Sequence, residues 1–131
     1  MSDFSPYTAQ EFANWLSQGI IETPPENIYV TLFDTAGNEL DGDFPSLRFE
    51  TDAGVDWDSP GTDFENATII DSGEALVDVD DIEDVALYDA ETDGNELARY
   101  TLDDAPFNVS EGTKIVFEAG ELEFDVLDNT Q

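Results

Sequence analysis

The chain has 131 residues, 40% of them hydrophobic, with nine Phe, four Tyr and two Trp, and it carries 33 acidic against three basic residues for a formal net charge of −30. That length suits one compact domain with enough apolar material for a core, which excludes wholesale disorder. The lack of Cys excludes disulfides and thiolate metal sites, the lack of His removes the usual general base and commonest metal ligand, and the charge repels phosphates, so no nucleic acid is expected as a partner.

From the first residue, Met1 to Pro6 holds no basic region followed by an apolar stretch, so no signal peptide is expected. Residues 1–27 read as an N-terminal arm with a short helix over 8–18. Thr8 is the candidate N-cap, with Glu11 completing a capping box and Tyr7 and Phe12 at the staple positions. Phe12, Trp15 and Leu16 recur at helical spacing and Gly19 supplies the stop. Three turns need a partner surface. The stripe either closes one end of the domain's own core or forms an interface with a neighbouring subunit.

After an extended connector over 23–27 the period changes to two. Ile28–Phe33 is β-branched and aromatic and reads as a buried strand. Residues 46–51 alternate, 52–64 are rich in Asp, Gly and Pro and read as a loop, and short strands are expected at 67–70, 75–79, 85–88, 96–102, 113–118 and 121–127. In the last, Leu122, Phe124 and Val126 alternate with Glu121, Glu123 and Asp125, so one face meets a core and the other water. Ala119-Gly120 links the final two strands. The expected fold is mainly β: an antiparallel β-sandwich or jelly roll of about eight short strands over 28–131, with one short N-terminal α-helix. No apolar run approaches the ~18–20 residues of a membrane span, so no membrane insertion is expected.

Leu32–Leu40 and Leu87–Leu97 echo each other: apolar, aromatic, Asp, a Gly-Asn turn, then Glu-Leu. Each reads as a hairpin whose Gly supplies the positive φ. Asp89, Glu91 and Asp93 mimic the opening of a calcium loop, but the twelfth position is Tyr100 and the flanks are strands, so the hairpin reading leads. Asp78, Asp80 and Asp81, with Glu83 and Asp84, crowd what reads as one loop. Either group could hold Mg2+, Ca2+, Na+ or K+ through carboxylate oxygens, with no cofactor required. Asn66 and Asn108 sit in glycosylation sequons. The chain has no P-loop, nucleophile-elbow or zincin motif, and with 33 acids a pair of carboxylates at catalytic separation means nothing, so no enzyme is expected.

The carboxylates run along the whole chain rather than in one tail. On an area of roughly 6,800 Å², neighbouring net charges lie ~15 Å apart and cost about 0.3 kcal/mol per pair in unscreened water. Summed at low ionic strength this reaches ~20–30 kcal/mol, above the usual net stability of about 5–15 kcal/mol. Molar salt shrinks the Debye length to roughly 3 Å and removes most of it. Cations diluted across the entire chain indicate a protein adapted to brine. An acidic DNA mimic that inhibits a host nucleic-acid-binding protein is the rival reading, although a mimic needs only one charged face.

The run from Ile82 to Leu97, the finish from Phe107 to Asp128, and the opening formed by Phe12–Leu16, Pro25 and Tyr29–Phe33 resemble small tailed-phage virion structural proteins. Those proteins are minor tail, tail-fibre or head-decoration components. The resemblance implies a non-enzymatic virion part and supplies no catalytic residues. Joined to the charge, it implies an exterior component of a tailed virus of halophilic archaea, made in the host cytoplasm. The placement would be capsid decoration or turret, or the tail. The expected partners are further copies in a trimer or pentamer, other capsid or tail proteins, and the host cell surface.

Overall fold

The computed structural model describes residues 3–19, 25–59 and 63–125. Helix α1 (Pro6–Gln18) is capped by Ser5, whose hydroxyl accepts the Thr8 amide at 3.2 Å, and Pro6 occupies the first turn, where its missing N–H costs nothing. This corrects the expected start at Thr8. The Thr8 hydroxyl lies inside the first turn and donates to the Leu97 carbonyl at 2.9 Å. Gly19, at φ 69°, ends the helix as anticipated.

Among the described residues ten strands follow: β1 (Asn27–Asp34), β2 (Phe49–Asp52), β3 (Trp57–Asp58), β4 (Asp63–Asn66), β5 (Ile70–Glu74), β6 (Val79–Tyr88), β7 (Glu96–Thr101), β8 (Phe107–Val109), β9 (Lys114–Phe117) and β10 (Glu123–Asp125). All described pairings are antiparallel. The largest sheet runs β2-β1-β6-β7 with β8 added on β6, a second runs β10-β4-β3, and β5 pairs with β9. Among the described residues the fold is thus mainly β with a single short N-terminal helix, and no sheet closes into a barrel.

The central pair explains the sheet. Val30 lies opposite Leu87 and Leu32 opposite Val85. These four side chains are essentially buried and share one core with Ile82, Leu122 and Phe124. Phe124 stacks on Phe64 at 5.1 Å and receives Tyr100 edge-on at 4.8 Å and Trp57 at 6.0 Å. Those aromatics account for β3, which lies inside the stretch expected to be a loop, and for β4, which begins at its end.

The strand expected at 75–79 is absent. Ala75–Asp78 is a connection that leaves Leu76 and Val77 exposed, and β6 begins at Val79 and runs through Asp80 and Asp81. Asp81 takes φ 59°, and the ladder to β8 shifts register across the acidic pair, between Val79 and Ile82, while the ladder to β1 shifts just beyond it, between Ile82 and Asp84. The acidic pair is therefore a bulge within a strand. The candidate strand at 67–70 is displaced to β5, which is interrupted by Gly73 at φ 75°; a Cβ there would lie 3.1 Å from the Pro45 ring. Ala119-Gly120 turns a corner between sheets, because β9 pairs with β5 and β10 with β4. Val126 lies outside the described residues.

Residues 3–5 bind two sheets together. Phe4 bridges Ala98 on β7, with Ser5 N–H donating to Leu97 O and Arg99 N–H to Asp3 O, both at 2.9 Å. On the other side, Asp3 N–H donates to Asp125 O at 2.9 Å, and the Asp3 carboxylate accepts the Asp125 amide at 2.7 Å.

Candidate functional site

Both echo segments are hairpins, and their Gly residues take positive φ (Gly37 84°, Gly94 74°). The Asp89 carboxylate accepts the backbone amide of Asn95 at 2.7 Å and its side-chain amide at 3.0 Å. Arg48, 6% exposed, donates to the carbonyls of Ala90 at 2.8 Å and Asp93 at 2.9 Å. The Asp89–Asp93 segment is thus held as a turn by a cation that the protein itself supplies. Glu91 and Asp93 are exposed.

In the second predicted group, the Asp78 carboxylate accepts the Glu111 amide at 2.8 Å, the Asp81 amide donates to Asn108 Oδ1 at 2.9 Å, and Asp80 is exposed. Among the described residues, the carboxylates that bring three ligand oxygens within 4.8 Å of one another are Asp63, Glu123 and Asp125, none of which belongs to the six residues singled out from sequence.

That group arises from strand register. β4 and β10 place Asp63 opposite Asp125 and Glu65 opposite Glu123, an unfavourable facing of like charges. The charge of Asp63 raises the Glu123 carboxyl above its usual range. Burial raises that of Asp3, against the lowering hydrogen bond from the Asp125 amide. Asp63 Oδ1 is buried without a hydrogen-bond partner among the described residues. The arrangement can hold a proton or a hard cation, though three oxygens are fewer than the six to eight Ca2+ takes. Local spacing could not reveal it, since the strands lie some sixty residues apart. The available signal was two alternating acidic strand faces, Asp63-x-Glu65 and Glu123-x-Asp125.

The two arginines are used reciprocally. Arg48 pairs with Glu39 of the first hairpin (2.7 and 3.0 Å) and lies 3.9 Å over the ring of Tyr88 in the second. Arg99 pairs with Asp84 at 2.8 Å and with Glu96 of the second hairpin at 3.6 Å, and lies 4.0 Å over Phe33 in the first. Lys114 pairs with Asp71 at 3.1 Å.

The stripe on α1 is exposed: Phe12 40%, Trp15 52%, Leu16 78%. Phe12 stacks on Phe4 at 5.5 Å. A separate open cleft of about 400 Å³ has a floor of Tyr100, Phe107 and Ile115 and a rim bearing Asp103, Asp104 and Glu121. Of the two sequons, Asn108 is exposed, while Asn66 is fully buried and cannot carry a glycan in this fold.

A family model described as Podophage GP4 fiber I protein gp80 matches residues 3–125. No curated protein matches the chain.

Proposed function

The chain belongs to the podophage GP4 fiber I protein gp80 family and is a virion structural protein of the tail-fibre type, and from that premise we propose that it stands on the outside of a tailed virus of halophilic archaea. The family match over residues 3–125 carries the virion part of this reading. The net charge of −30 supports the salt part, because a fold so charged needs dense screening. In this reading the protein performs no catalysis. It assembles as a homo-oligomer, trimer or pentamer, against other tail or capsid proteins, and turns its acidic loops toward the host surface. Mg2+, Ca2+, Na+ or K+ between facing carboxylates would bridge surfaces that otherwise repel.

Immunogold labelling of purified particles tests the assignment. Label on projecting tail structures is expected, with loss of particle-bound protein on dilution into low salt containing chelator. Protein found only free in the infected cell, bound to a basic host enzyme, would overturn it.

A further inference from the structure

We propose that the Phe12, Trp15 and Leu16 face of α1 is the contact through which one copy of this chain docks on the same face of a second copy. The inference rests on the reading above that the chain self-associates, and it departs from a ring of three or five in one respect: a face laid on its own copy closes a two-fold pair.

The orientation of the helix comes first. Its half-buried residues are Tyr7, Thr8, Glu11 and Asn14, which form the edge toward the body. The apolar stripe begins at that edge, where Trp15 shares the side of Thr8 and Glu11, and turns away from it through Phe12 and Leu16, and α1 has no buried residue. An amphipathic helix normally spends its apolar stripe on a core. Here Trp15 and Leu16 remain exposed, while the Phe4–Phe12 stack fixes one end of the stripe in place.

Charge identifies the occupant. At the chain's average of 33 acids in 131 residues, residues 4–19 would hold about four, yet they hold one, Glu11. The run 12–21 is the longest in the chain without a charged residue. A basic partner gains by lying on carboxylates, and a bare patch offers it nothing. A second copy bearing −30 is repelled wherever carboxylates face carboxylates, so it can approach closely only where both surfaces are bare. A face placed on its own symmetry mate meets that condition on both sides.

The three side chains offer on the order of 400 Å² per copy, about half of the ~800 Å² a standard partner contributes. The contact by itself is therefore weak, and salt should strengthen it by screening the surrounding charge and favouring apolar burial.

The test is sedimentation of the full chain in molar KCl over a range of concentrations. Wild type should self-associate, increasingly so with salt. Leu16→Glu and Trp15→Ser should raise the dissociation constant at least tenfold with unchanged far-UV circular dichroism, since neither side chain is in the core. Ser17→Glu adds the same charge off the stripe and should associate like wild type. A wild type that stays monomeric throughout, even one that still binds particles, would overturn the docking while leaving the virion assignment standing. Self-association that Leu16→Glu and Ser17→Glu leave equal would keep the oligomer and reject this face.

Discussion

At the residue scale, Asn66 does more for the fold than its sequon suggested. Its side-chain amide donates to the carbonyls of Thr68 (2.9 Å), Phe117 (3.2 Å) and Glu118 (2.8 Å), and its Oδ1 accepts the Leu122 amide at 2.9 Å. Its backbone carbonyl accepts the Gly120 amide at 2.7 Å. One fully buried side chain thus fastens the corner between β9 and β10 to the end of β4. Asn66→Ala takes the side-chain partner from the buried Phe117 carbonyl and the buried Leu122 amide and should cost about 3–5 kcal/mol, read from urea unfolding in molar salt. Asn66→Asp sets a carboxylate against the same carbonyls, so it should be worse at neutral pH and partly recovered in acid, where a protonated Asp regains one donor. Sequence indicated the residue type but not its partners, because three of the four side-chain bonds reach segments more than fifty positions away.

At the element scale, the two echo hairpins were legible from their aromatic-Asp-Gly-Asn-Glu pattern, and the structure supplies the positive φ values that the pattern requires. The crossed arginines were not legible, since nothing local ties Arg48 to Tyr88 or Arg99 to Phe33. Replacement of Arg48 by Lys keeps the charge but loses the forked contact to Glu39 and at least one carbonyl of the Ala90–Asp93 turn. It should cost about 3 kcal/mol, with faster hydrogen exchange at Asn95 on the far hairpin. A double-mutant cycle of Arg48→Met and Arg99→Met should depart from additivity by at least ~0.5 kcal/mol. The helix was half legible: its stop at Gly19 and its stripe were readable, but Ser5-Pro6 outcompetes Thr8 as a start, because Pro at the first turn forgoes an N–H that no helix uses there. The single strand Val79–Tyr88 was legible only over 85–88, because Asp80 and Asp81 look like loop chemistry, whereas a bulge lets a strand carry them.

At the scale of the whole molecule, the surface charge makes stability a function of salt and pH together. The raised carboxyls of Asp3 and Glu123 hold protons more tightly folded than unfolded, so their contribution is present at low pH and lost as pH rises through their folded values. The carboxyls held low, Glu39 by Arg48, Asp34 by the Asn38 amide and Asp71 by the Gly73 amide, act the other way and lose their contribution as pH falls below the ordinary carboxylate range. In dilute buffer the melting temperature should therefore climb as pH falls from 7 toward 5, then drop below about 4. In molar KCl the climb should flatten, because screening has already removed the repulsion that protonation relieves. Differential scanning calorimetry across pH at two salt concentrations reads both limbs. Composition alone predicts the dependence on salt; the climb depends on which carboxylates face one another across β4 and β10, and the acid drop on the arginine and turn amides that hold Glu39, Asp34 and Asp71 low.

The three-residue segment from Asp3 to Ser5 serves as an outer rail on β7 and a tether for β10. Truncation past Ser5 would bare the β7 edge and strip β10 of one tether while leaving it the pairing to β4, and the nearest strand able to cover that edge is the bared β7 of another molecule. A shortened chain is then expected to pair edge to edge, so any purification tag placed ahead of Asp3 must leave that triplet seated.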